Sequence, residues 1–116
     1  MAITHIETDD DLSQVWAEPL AVIYKHSPIC HRSVTSRVEV DRFSTEHPEI
    51  PVFQIDVIAQ RSVSNLVAER FGIRHESPQA FVVRDGSPTW YGSHQNVTAQ
   101  HLETNLDNES PPSLSE

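Results

Sequence analysis

Cysteine is almost missing from this chain: among 116 residues there is one, Cys30. A single thiol closes no internal disulfide, so the fold must rest on its core, and a reducing compartment fits that count. Glycine is scarce too, with three in all, and no glycine-rich phosphate loop can be assembled from them. Basic residues number eight, of which one is a lysine, against 17 Asp and Glu, for a net charge of -9. Affinity for phosphate backbones rests on clustered Lys and Arg, so neither nucleic acid nor an anionic membrane surface is an expected partner. Long apolar runs are also missing, since nowhere do about eighteen apolar residues stand in a row. The opening "MAITHIETDDDLSQ" has no basic segment followed by an apolar one, and a cytoplasmic protein is the expectation.

What is present reads as one ordinary globular domain, 37% hydrophobic and 22% charged, with no internal repeat. Thr8 and the acidic residues after it suit a helix start, and Leu12, Val15 and Trp16 continue at helical spacing to Pro19, giving a helix over residues 9–17. "LAVIYKH", residues 20–26, is short, β-branched and aromatic, and reads as a central strand ending at Ser27-Pro28. A helix follows, beginning near Cys30, with Val34, Val38 and Phe43 as its apolar positions and its end before Pro48. Residues 50–57 make a second strand, parallel to the first through the helical crossover. Val63, Leu66, Val67 and Phe71 mark the next helix, with Gly72 placed to end it. Two extended runs around Asp85-Gly86 make an antiparallel hairpin. Residues 96–106 supply a last helix, and 107–116, polar and proline-bearing, a loose tail. The order is helix, β-α-β, helix, hairpin, helix: an α/β domain with four strands in a mixed sheet and an extra N-terminal helix.

Cys30 thus falls on the first turn of a helix. A thiol exchanges with a disulfide only as thiolate, and the unpaired amides and aligned peptide dipoles of a helix start favour that form. His31, if protonated, and Arg32 add positive potential in the same turn. The bland alternative is a small buried hydrophobe flanked by solvated residues. A dithiol enzyme needs a resolving cysteine three positions on, and that position holds Ser33, whose hydroxyl cannot resolve a disulfide. Ser33 is either a hydrogen-bond donor to the sulfur or a packing serine. Any exchange must therefore be monothiol.

From "YKHSPIC" with Ser33, through "SVSNLVAERFGIRHESPQAF", to Trp90–Thr98, the chain resembles the monothiol bacilliredoxins, small thioredoxin-like proteins associated with bacillithiol. The likeness covers residues 1–106, the expected thioredoxin-like domain. It implies a cis-proline at Pro78 facing Cys30, with Ser77 free to pair its backbone with an extended substrate, so Ser77 and Pro78 become substrate-binding candidates. It implies removal of bacillithiol from S-thiolated client proteins through a Cys30 mixed disulfide. Bacillithiol is then a co-substrate, no cofactor is bound, and a flavin-dependent reductase is a recycling partner. Because bacillithiol carries a malate group, Lys25, Arg74 and Arg32 become candidate carboxylate binders. The chain departs from the family after the cysteine, where proline tends to stand and His31 and Arg32 stand here.

The same residues admit three other readings. A non-enzymatic redox sensor or protein-binding module uses the same fold. An iron-sulfur carrier of monothiol glutaredoxin type should show Cys-Gly-Phe-Ser, where this chain has Cys30-His31-Arg32-Ser33. A metal site from His26, Cys30, His31 and His75 lacks the spacing of known ligand pairs, and none is assigned. His94 and His101 read as surface or terminal-helix residues.

Overall fold

The computed structural model describes residues 3–112. The elements are β1 Ile3–His5, a 3₁₀ turn Asp9–Asp11 running into α1 Leu12–Trp16, β2 Leu20–His26, α2 His31–Glu46, β3 Val52–Asp56 and α3 Arg61–Phe71; then β4 Gln79–Arg84, β5 Ser87–Ser93, a 3₁₀ turn His94–Asn96 and α4 Ala99–Thr104. They form one sheet of five strands in the order β1-β3-β2-β4-β5. The first three run parallel, and β4 and β5 pair antiparallel to β2 and to each other.

Helices cover both faces, which is why β2 is apolar almost throughout. Alternate residues point to opposite sides. Ala21 and Ile23 pack with α1 and α3, among Val15, Val63, Val67, Phe71 and Phe81. Val22 and Tyr24 pack with α2 and α4, among Val40, Phe43, Val82 and Leu102. Local signals hold at the element ends. Thr8 Oγ1 accepts from Asp11 N–H at 3.2 Å while Asp11 Oδ2 accepts from Thr8 N–H at 3.1 Å, a reciprocal cap. Gly72 ends α3 at φ 66°. Asp85 and Gly86, at φ 52° and 81°, make the hairpin turn whose twist matches its strands.

Three expectations are corrected. The sheet has five strands and not four: Ile3–His5 is too short to show a period and is defined by pairing with β3 at the sheet edge. The buried face of α2 is not the one its valines suggest. Val34 and Val38 are 65% and 62% exposed, whereas Ser33, Ser36, Val40, Phe43 and Ser44 are buried. Successive helical residues turn about 100°, which puts Val34 and Val38 nearly opposite Ser36, Val40 and Phe43. Leu66, 39% exposed, likewise stands at the rim of α3 rather than under it. Finally, the tail is tied down at its start, for Arg84 donates to Leu106 O at 2.8 Å and Asn108 O at 3.2 Å, and Asn108 Nδ2 donates to Thr89 O at 3.3 Å. Residues 113–116 of the expected tail lie outside the described residues.

Candidate functional site

β2 ends at His26, and the chain turns through Ser27–Cys30, closed by Cys30 N–H donating to Ser27 O at 3.3 Å. Cys30 is the N-cap of α2, in extended conformation, and its side chain makes no capping hydrogen bond. It is partly exposed. Around it lie Pro28, Ile29, His31 and Val34, which line a shallow depression of about 190 Å3. Ile29 is 80% exposed, so the sulfur is surrounded by an apolar apron open to solvent. His31 and Arg32 are exposed as well.

Ser33 is fully buried. Its Oγ accepts the Ser27 N–H at 3.1 Å and its own N–H donates to Cys30 O at 3.0 Å. Among the described residues no hydrogen bond reaches the Cys30 sulfur, so Ser33 fixes the turn that carries the thiol and does not cap the thiol itself. Arg32 lies in the first turn of α2, and its guanidinium donates to Gln95 Oε1 at 3.4 Å.

Beneath this turn is a pair that sequence reasoning passed over. Tyr24 OH donates to Ser33 O at 3.2 Å and lies 2.9 Å from His26 Nδ1. A hydroxyl has one hydrogen, so with that hydrogen on Ser33 O the His26 Nδ1 carries the proton and donates to the tyrosine oxygen. Burial pushes Tyr24 up to about 12, and a charge on the nearby Cys30 would push in the same direction. Burial, then the Arg37 guanidinium, holds His26 below the usual histidine value. Both groups are neutral near pH 7, so the layer under the thiol is polar and uncharged. Gln54, 4% exposed and in register with Tyr24, leaves its Oε1 buried without a partner among the described residues. The available signal was positional: residues 24 and 26 of one strand share a face.

Lys25 points the other way. It is 0% exposed, with Nζ donating to Ser64 O at 3.0 Å and to His75 Nδ1 at 3.2 Å, and lying 5.8 Å from the Phe81 ring centre. Burial pulls it down to about 8. An ammonium enclosed in this way does not reach a ligand's carboxylate, which corrects the role expected of Lys25. Burial and then Lys25 lower His75 too. Because Lys25 and His26 project to opposite faces, His75 and His26 are separated by the sheet and do not join in one ligand set. Among the described residues, the three groups close enough to share a metal are Glu46, His47 and Glu103, at the far end of α2 from Cys30.

Lys25 pairs with Gln79 across β2 and β4, so Ser77 and Pro78 enter the sheet at the end from which the Cys30 turn leaves. The Ser77–Pro78 peptide is cis. Gln79, 1% exposed, braces the approach: its Nε2 donates to Arg74 O at 3.0 Å and its Oε1 accepts from Glu76 N–H at 3.3 Å. Ser77 N–H and C=O make no hydrogen bond among the described residues. Arg74 is exposed at the start of the same loop. His94, read as a plain surface residue, has φ 56° and donates its N–H to Pro78 O at 2.9 Å. Its Nδ1 lies 3.4 Å from Glu76.

Residues 3–102 match the model of the family described as monothiol bacilliredoxin BrxC. The chain belongs to that family. Within it, this bacilliredoxin is a thiol oxidoreductase of thioredoxin fold. One similar solved structure, described as a thioredoxin-fold protein assigned as an oxidoreductase, is 24% identical at TM-score 0.83, covering 89% of this chain and 92% of its own. The thioredoxin of Fasciola hepatica is 17% identical at TM-score 0.74, with coverage of 91% and 99%. Oxidised thioredoxin from Plasmodium falciparum is 10% identical at TM-score 0.73, with coverage of 91% and 96%. At such identities the structures speak for the shared fold, α/β with a mixed sheet. No helix among the described residues of the bacilliredoxin is long and apolar enough to cross a membrane.

Proposed function

We propose that this bacilliredoxin strips bacillithiol from S-thiolated proteins in the cytoplasm by monothiol exchange at Cys30. The observation that carries the reading is the placement of the single cysteine: partly exposed at the N-cap of a 16-residue helix, with the position a resolving cysteine would take filled by Ser33 and bonded into the loop. Helix starts in general attract an anion through their unpaired N–H groups.

In the first step the Cys30 thiolate attacks the bacillithiol sulfur of the client's mixed disulfide. The bond between the two sulfurs of that disulfide breaks, a new one forms to Cys30, and the client sulfur leaves as thiolate and takes a proton from water. In the second step the thiolate of another bacillithiol attacks the bacillithiol sulfur on Cys30. Oxidised bacillithiol leaves, Cys30 returns as thiolate, and a flavin-dependent reductase reduces the released disulfide. The free Ser77 N–H and C=O, beside Pro78, suit pairing with an extended client segment, and Ile29 with Val34 supplies apolar contact for it. Exposed His31 adds positive potential at the first turn when protonated, and Arg74 stands at the rim for an acidic group.

The test is incubation with one protein carrying either a bacillithiol or a glutathione cap, followed by mass analysis. The expected result is release of the free client thiol and transfer of the bacillithiol cap to Cys30, and neither with Cys30→Ser. Preference for the glutathione cap would replace the thiol named here. Transfer to neither, with Cys30 alkylatable, would point to the binding module instead.

A further inference from the structure

Lys25 is wholly buried and carries no opposite charge. Its Nζ donates to the carbonyl of Ser64, in the first turn of α3, at 3.0 Å and to His75 Nδ1 at 3.2 Å. Among the described residues no carboxylate lies within 4.0 Å of it. Enclosing an unpaired ammonium costs stability, and an apolar side chain of similar length would fill the same place without that cost. Departures of this kind are concentrated at functional sites, where stability is given up for what the group does.

What the lysine holds is a loop. An ammonium only donates, so His75 Nδ1 accepts, and the neutral ring carries its proton on Nε2. Ser64 Oγ lies 3.2 Å from the same Nδ1, so β2 and α3 close together on one atom of a residue that is otherwise exposed. A second proton on this ring would stand against Lys25; burial, Lys25 and Arg61 all disfavour it, with Glu76 opposing them. Glu76 follows His75, and after it come Ser77 and Pro78. The rest of this segment is fixed by Gln79, which meets Arg74 O and Glu76 N–H, and by His94 N–H on Pro78 O at 2.9 Å. Gln79 is itself the register partner of Lys25. Between these anchors the Ser77 N–H and C=O are left without a hydrogen bond among the described residues.

We infer that Lys25 and His75 are positioning residues for exchange: the ammonium pins the His75 ring, and the pinned ring sets the Ser77 backbone where an extended client segment pairs with it. Lys25 acts through His75 and touches neither client nor sulfur. This deepens the exchange reading and rests on it for the client, though not for the clamp.

Three variants test it. Lys25→Met keeps the length and removes the donor, His75→Ala removes the acceptor, and His75→Asn puts an acceptor oxygen where Nδ1 stands. Each is assayed for kcat/KM with a protein capped by a small thiol, which needs the Ser77 backbone, and with dipyridyl disulfide, which does not. Lys25→Met and His75→Ala should lose about tenfold on the capped protein, through a higher KM, and less than twofold on the small disulfide; this is the scale of one or two weakened main-chain hydrogen bonds. His75→Asn should recover most of that loss. Lys25→Met should melt higher at pH 7 than the unsubstituted chain, so that stability and transfer move in opposite directions. Equal loss on both substrates, no loss on the capped protein, or a loss that accompanies a lower melting temperature overturns the inference. NMR reads the clamp independently of exchange: the His75 ring should carry its proton on Nε2, and Lys25→Met should shift the amides of Glu76 and Gln79. A ring protonated on Nδ1, or loop amides that do not move, overturns the clamp. If these signals appear while the unsubstituted chain takes no cap from any protein, the clamp stands and the exchange reading fails.

Discussion

Lys25 shows how one residue separates what a sequence suggests from what a fold does with it. Expected as a binder of a ligand's carboxylate, it is instead enclosed against Ser64 O, His75 and the Phe81 ring. Burial disfavours its charged form and brings it to about 8, against about 10.4 in an unfolded chain. Between those values the unfolded state binds the extra proton, so stability should rise with pH from about 8 towards 10. Below about 8 both states are protonated and the penalty, up to about 3 kcal/mol, is constant. Tyr24, raised to about 12, works in the opposite direction above about 10, where the unfolded chain loses its phenolic proton first. Lys25→Met should therefore be the more stable protein at pH 7, with a melting temperature that no longer climbs from pH 8 to 10. A variant that melts lower at pH 7 would show that the amine's hydrogen bonds outweigh its desolvation. Tyr24→Phe removes the bond to Ser33 O at 3.2 Å and leaves that carbonyl and His26 Nδ1 without their partner. It should cost about 1–3 kcal/mol in chemical denaturation and slow cap transfer, since Ser33 holds the turn of Cys30. The lone thiol and the absence of its resolving partner were legible at once. The Tyr24 and His26 pair was not, because a strand pattern gives the face of a side chain but not the hydroxyl it meets.

At the scale of elements, α2 is where pattern and packing part. Its apolar periodicity follows Val34 and Val38, yet the sheet receives Ser33, Ser36, Val40 and Phe43. Small serines let the helix lie close to the strands, and the buried stripe is chosen by fit as well as by hydrophobicity. Val38→Ser should change stability by no more than about 0.5 kcal/mol. Phe43→Ala should cost about 3–5 kcal/mol, as buried phenylalanines do. Comparable losses at both positions in urea melts would contradict the helix orientation. β2, α3 with its Gly72 end, and the Asp85-Gly86 hairpin were readable because local signals and burial agree there. β1 was not, for three residues carry no period and exist as a strand only through β3.

Across the whole molecule the chain closes on itself through Arg84, whose guanidinium joins the end of β4 to Leu106 O and Asn108 O. Truncation after Leu106 should thus lower stability by about 1–2 kcal/mol, from loss of the Asn108 contacts with Arg84 and Thr89. An unchanged melt would return residues 107–112 to the status of a loose tail. The sequence by itself determined the class: one cysteine on a helix start, a parallel crossover, a hairpin, and an excess of acidic side chains. These are properties of composition and local period, which no packing can alter. Only the tertiary structure decided which side of α2 is buried, that Lys25 lies inside, and that Arg32 meets Gln95 while Ser33 holds the turn. Each of these depends on side chains far apart in sequence competing for the same space, and that competition is settled only when the sheet and its two layers come together.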